Sequence, residues 1–115
     1  MEEKTRKYYK EECQTHVHEF LGSTKLAELE EDPHNHRFAG VSGEAIPIGD
    51  HQHIHEIITR TDFYEDHFHE ICVRSGPAIG VGDEKHVHFV CGVTTVVDEH
   101  EHCFVFATLI EDPIG

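Results

Sequence analysis

The sequence predicts an all-β domain built from three repeated antiparallel hairpins. One observation is a motif of the form His-x-His-x-Φ, with Φ a large apolar residue. It occurs as His16/His18/Phe20, His34/His36/Phe38, His53/His55/Ile57, His67/His69/Ile71, His86/His88/Val90 and His100/His102/Phe104. In a strand, residues i, i+2 and i+4 share one face. A helix would set i and i+2 about 200° apart. A second observation is an internal repeat. Residues 34–66 lie without gaps over 67–99, so that His34, His36, Ser42, Gly43, Gly49, Asp50, His53, His55 and Thr61 recur as His67, His69, Ser75, Gly76, Gly82, Asp83, His86, His88 and Thr94. The third is the Val, Ile, Phe and Thr content around the motifs, which strands prefer.

Residues 1–14 stand outside the repeat and are expected to form an N-terminal arm or short helix. Residues 15–115 form one β domain of three units, about 15–52, 53–85 and 86–115. Each unit holds a first HxH strand, a turn, a second HxH strand and a connector. TRTD (59–62) and GVTT (92–95) offer turns. Centring near Thr61 would set His53 opposite His69 and His55 opposite His67. Centring on Thr94 would set His86 opposite His102 and His88 opposite His100. The stretch KLAELEEDP makes the first turn about four residues longer than its counterparts. In the connectors SGEAIPIGD and SGPAIGVGD the glycines permit positive φ and the Ala-Ile element is a short strand. Pro47 indicates an edge. Asp50 and Asp83 cap the Gly turn, and Ser42 and Ser75 read as turn chemistry. Three hairpins about an approximate threefold axis would close into a small barrel or prism; a β-solenoid of stacked coils is the competing architecture.

At 115 residues the chain is long enough for one modest core. Its formal charge of −14 excludes nucleic acid and anionic membrane as natural partners and favours cations. There is no apolar run long enough for a transmembrane helix and no signal-peptide pattern at the N-terminus, so the chain reads as cytoplasmic. Cys13, Cys72, Cys91 and Cys103 lack CxxC spacing and read as reduced small hydrophobes rather than as a zinc ribbon.

Thirteen histidines scattered at random in this length would give roughly one or two H-x-H pairs; seven occur, including His51/His53. Duplication alone would multiply the motif without a function. Yet these histidines share a face with Phe, Ile and Val, where imidazoles need partners. A transition metal supplies one for several rings at once, and imidazole suits zinc, copper, nickel and iron. His16, His18, His34, His36, His53, His55, His67, His69, His86, His88, His100 and His102 are therefore the candidate metal ligands, with zinc the default ion. Asp32, Glu65 and Asp98 each precede a second HxH by two residues, on the strand face of the histidines, where they would complete or orient a site.

HVHEFLGST (16–24), the SGEAIPIGDHQHIHEI block, and SGPAIGVGDEKHVHFVCGVTT with its trailing DEHEHCF together resemble the YmaF family, small bacterial proteins with recurring HxH motifs. The resemblance covers about residues 15–110. It implies a bacterial, cytoplasmic protein and no particular chemistry.

The function expected is transition-metal binding, for storage, buffering, sensing or structural sites. A metal-dependent enzyme is the disfavoured alternative: no motif here carries the downstream Glu that cupins place after an HxH strand. A third reading is a non-metal interaction module with histidines at a subunit interface, and a homo-oligomer stays open.

Overall fold

The computed structural model describes residues 16–28 and 31–111. The expected arm over 1–14 and the last residues of the third unit lie outside them. Among the described residues nine strands run in chain order: β1 (Glu19–Ser23), β2 (Arg37–Val41), β3 (Ile46–Gly49), β4 (Gln52–Ile54), β5 (Glu56–Arg60), β6 (Glu70–Arg74), β7 (Ala78–Gly82), β8 (Lys85–Val93) and β9 (Cys103–Ala107). β1 pairs with β2, β5 with β6 and β8 with β9, all antiparallel, so the three expected hairpins are present. The connectors form two smaller hairpins, β3–β4 and β7–β8. A short strand occurs in each as expected, starting at Ala78 in one but only at Ile46 in the other, with Gly49 and Gly82 at φ 99° and 103° where the register slips.

The expectation of a barrel or prism is overturned. The ladders fall into four separate sheets of two, two, two and three strands, and none closes into a barrel. Nor does the chain wind as a solenoid, because every ladder is antiparallel. Closure needs strands bonded continuously edge to edge. Here β2 lies against β5, β6 against β8, and β9 against β1, yet the core hairpins bond to one another mainly at the strand ends. Gly43 donates to Glu56 O and Asp62 to Arg37 O. Gly76 donates to Phe89 O, Thr95 to Glu70 O, Leu109 to Glu19 O and Lys25 to Cys103 O, all at 2.8–3.0 Å. The inward side chains, two imidazoles and a Phe, Ile or Val from each strand, fill the space between hairpins and hold their edges apart.

The turns are also corrected. The second and third hairpins reverse at Glu65–Asp66 and Asp98–Glu99, not near Thr61 and Thr94. All four of these residues have positive φ (47°, 73°, 52° and 67°), and bridges Tyr64↔His67 and Val97↔His100 flank them. This is the backbone shape that matches hairpin twist, normally filled by Asn-Gly. Acidic pairs fill it here, which hid the turns in the sequence. The first turn is longer, as expected, with Ala27 bridged to His34.

Between the ends of the hairpins lies a small core of Phe20, Phe38, Ile57, Ile71, Val90, Phe104 and Phe106. Glycines sit across the strand from three of the rings: Gly22 from Phe38, Gly40 from Phe20 and Gly92 from Phe104. A methyl at Gly40 would meet Phe20 Cζ at 2.8 Å, and Phe20 cannot retreat because it stacks on Phe106 with centroids 5.6 Å apart. Gly40→Ala is expected to cost about 1–3 kcal/mol, seen as a lower midpoint in urea denaturation.

Candidate metal centres

Strand alternation puts both histidines of each motif on the buried side, in line with the core residue that follows. Antiparallel pairing then sends the two motifs of a hairpin to opposite ends. His16, His18, His53, His55, His86 and His88 gather at one end, their ligand atoms all within 4.8 Å of one another. His34, His36, His67, His100 and His102 do the same at the other. His69 joins them, its Nε2 3.2 Å from His100 Nε2 and its ring 4.8 Å from those of His36 and His102. All twelve candidate histidines thus fall into two groups of six, each drawing on all three hairpins. The expected meeting of His53/His55 with His67/His69, and of His86/His88 with His100/His102, does not occur. Equivalent motifs of different units meet instead. His51 is exposed in a turn at φ 61°, outside both groups.

In the first group the Nε2 atoms of His16, His53 and His86 form a triangle with sides of 3.0–3.1 Å. Beneath it, the rings of His18, His55 and His88 meet edge-on at 4.5–4.7 Å between centroids. Each ring of one triangle meets two of the other: His16 meets His18 and His55, His53 meets His55 and His88, His86 meets His88 and His18. The opposite pairs are His16–His88, His18–His53 and His55–His86. The second group repeats the pattern, with His34, His67 and His100 over His36, His69 and His102. There the rings of His34 and His36, of His67 and His69, and of His100 and His102 also meet edge-on.

The tautomers follow from the partners. The Nδ1 of His18 lies 2.8 Å from Leu109 O, that of His55 2.9 Å from Gly43 O and that of His88 2.8 Å from Gly76 O. At the other end, Nδ1 of His36 faces Asp62 O at 3.0 Å, that of His69 Thr95 O at 2.8 Å and that of His102 Lys25 O at 2.9 Å. A carbonyl only accepts, so each Nδ1 carries the proton and each Nε2 presents a bare lone pair inward. Buried Nε2 atoms of His34, His55, His88 and His102 have no hydrogen-bond partner. Lone pairs facing one another about a buried point repel unless a cation lies between them. Burial favours the neutral form of eight of these rings: desolvation pushes His16, His53, His88 and His102 down to about 4, and lowers His18, His36, His55 and His69 as well. Repulsion between neighbouring imidazoliums adds to the effect. A neutral imidazole is the form that binds a metal.

Around the rings sits a second layer that the sequence reading missed. The hydroxyls of Ser42, Ser75 and Thr108 accept from the backbone N–H of His18, His55 and His88. Those of Thr24, Thr61 and Thr94 accept from His36, His69 and His102. Ser42 and Ser75 were expected as turn residues; they are buried and fix the backbone of His18 and His55. Their recurrence in the repeat was the available signal. Carboxylates reach three outer rings: Glu111 lies 3.2 Å from His86 Nδ1, Glu28 3.4 Å from His100 Nδ1 and Asp98 3.8 Å from His67 Nδ1. Asp62 lies 3.3 Å from His36 Nδ1. Of the three acids expected beside the second motifs, Asp98 approaches a histidine of another unit. Asp32 uses its backbone carbonyl on His34 at 2.8 Å and accepts from Tyr64 Oη at 3.0 Å, while Tyr64 stacks on His34. Glu65 is exposed in its turn. Cys72, Cys91 and Cys103 are exposed on the outer strand faces, away from the rings.

Among the described residues no helix is long and apolar enough to cross a membrane. No curated protein and no solved structure matches the chain. The family model YmaF, described as "Spore germination protein GerY/YamF", matches residues 13–110. The six motifs that build the two histidine groups all lie within that span, and the chain belongs to the YmaF family.

Proposed function

We propose that this is a transition-metal-binding protein whose ions join three hairpins that share few backbone bonds. The observation that carries the reading is the convergence of inward-facing Nε2 atoms from all three hairpins on each of two buried points. His16, His18, His53, His55, His86 and His88 would hold one ion. His34, His36, His67, His69, His100 and His102 would hold the other. Because each ion would draw on every hairpin, binding and tertiary assembly would be one event. Storage and buffering follow from the same reversible coupling. Imidazole suits zinc, copper, nickel and iron alike, so the donor type leaves the choice to geometry. A shell of six rings leaves no position for water or substrate, which catalytic metals need, and the rings are buried inside one chain rather than offered to a partner. A setting in spore germination, carried from the family's description, and cytoplasmic placement belong to the same proposal.

Untagged protein, purified without a nickel column, tests this by elemental analysis. The expected result is a first-row transition metal at about one ion per histidine group. Protein that neither carries nor takes up such ions would sink the reading.

A further inference from the structure

Resting on that metal reading, we propose that each histidine group is a six-coordinate, all-imidazole cage that selects ions of octahedral preference, nickel(II) foremost, over zinc. Two stacked triangles, each ring opposed to one ring of the other triangle, are the vertices of an octahedron. His16–His88, His18–His53 and His55–His86 would be its three axes in one cage. His34–His69, His36–His100 and His67–His102 would be those of the other. The separations in the His16 group lie at or within about 0.1 Å of the octahedral range, and those in the other group fall between the two geometries. With metal–nitrogen bonds of about 2.0–2.1 Å, neighbouring nitrogens lie about 2.8–3.0 Å apart in an octahedron and about 3.3–3.4 Å apart in a tetrahedron. The spacings are 3.0 Å for His16–His86 and His18–His86, and 3.1 Å for His16–His53 and His53–His86. Corresponding approaches in the other cage, His36–His67 and His69–His100, are 3.2 Å.

A four-coordinate ion would leave two buried lone pairs unmet in each cage. The inner rings cannot swing away, because their Nδ1 atoms are tied to backbone carbonyls. Burying polar atoms without partners is costly. Zinc, with a filled d shell, gains nothing from six ligands and is almost always four-coordinate in structural sites. Copper(II) prefers tetragonal geometry, which six equivalent rings do not offer. Of the remaining ions the affinity order rises from manganese through iron and cobalt to nickel. Six neutral donors leave the ion's charge whole, and Glu111, Asp62, Glu28 and Asp98 on the outer nitrogens offset it.

The test uses the full chain, freed of metal. It is dialysed against equal concentrations of nickel and zinc, and retained metal is measured; a second sample is loaded with cobalt(II) and its visible spectrum recorded. The expected result is nickel retained over zinc by about tenfold or more, with the weak absorption of six-coordinate cobalt. Preferential zinc retention, or the intense blue bands of four-coordinate cobalt, would overturn the cage while leaving metal binding intact. Retention of neither ion would remove the metal reading and the cage together.

Discussion

Removing the bound metal is expected to lower the melting temperature by about 30 °C. An ion present at a thousand times its dissociation constant adds about 4 kcal/mol to the native state. Two such sites would add about 8 kcal/mol, and each kcal/mol moves Tm by roughly 4 °C in a domain of this size. The effect should be this large because little else joins the hairpins. Among the described residues the buried apolar core is Phe20, Phe38, Ile57, Ile71, Val90, Phe104 and Phe106, and the backbone bonds between core hairpins cluster at the strand ends. The measurement is a thermal melt before chelation, after chelation and after the ion is restored. A Tm that stays put when a demonstrably bound ion is stripped would separate binding from folding. Restoring the ion should return the full Tm, which distinguishes lost ligation from damage.

The metal-free protein is expected to unfold in acid with a midpoint between pH 4 and 6.5. His16, His53, His88 and His102 are held down to about 4 in the folded chain, against about 6.5 when unfolded. Between those values the unfolded chain takes up protons that the folded chain cannot. Stability therefore falls as pH drops through that window and levels off below it. The Glu111 carboxylate raises His18 and His53, and Asp62 raises His36, without cancelling the loss. A circular-dichroism titration would show the midpoint. A folded fraction that holds steady from pH 7 to pH 4 would contradict neutral, buried rings. With metal bound the transition should move to lower pH, because protons must displace the ion first.

Much of this was legible in the sequence. The spacing of His16, His18 and Phe20 could place all three on one face because strand periodicity is local. The repeat of 34–66 in 67–99 could announce similar hairpins because duplicated residues fold alike. Register was not legible. Thr61 and Thr94 looked like turn centres, yet they are buried and bonded to His69 and His102. The actual turns hide in Glu65–Asp66 and Asp98–Glu99, pairs without the glycine that usually marks a backbone at positive φ. A misplaced turn changed which histidines met, so the motifs were legible while the way they gather was not. The absence of a barrel was beyond pattern reading too. It depends on how far bulky inward rings hold strand edges apart, a packing property that alternation does not encode.

The hydroxyl beside each inner histidine points to a smaller module than the hairpin. His16–Thr24, His34–Ser42, His53–Thr61, His67–Ser75, His86–Thr94 and His100–Thr108 all begin with the histidine pair and end on Ser or Thr eight positions later. Two such cassettes, laid head to tail, satisfy each other's ends: the hydroxyl of one caps the histidine of its neighbour. A hairpin is thus one word read in both directions, and any even number of copies would deliver rings equally to both ends. Three hairpins give three copies, and so six imidazoles, at each end. The size of each imidazole group is a matter of counting, and gene duplication of a nine-residue strand sets it in steps of two.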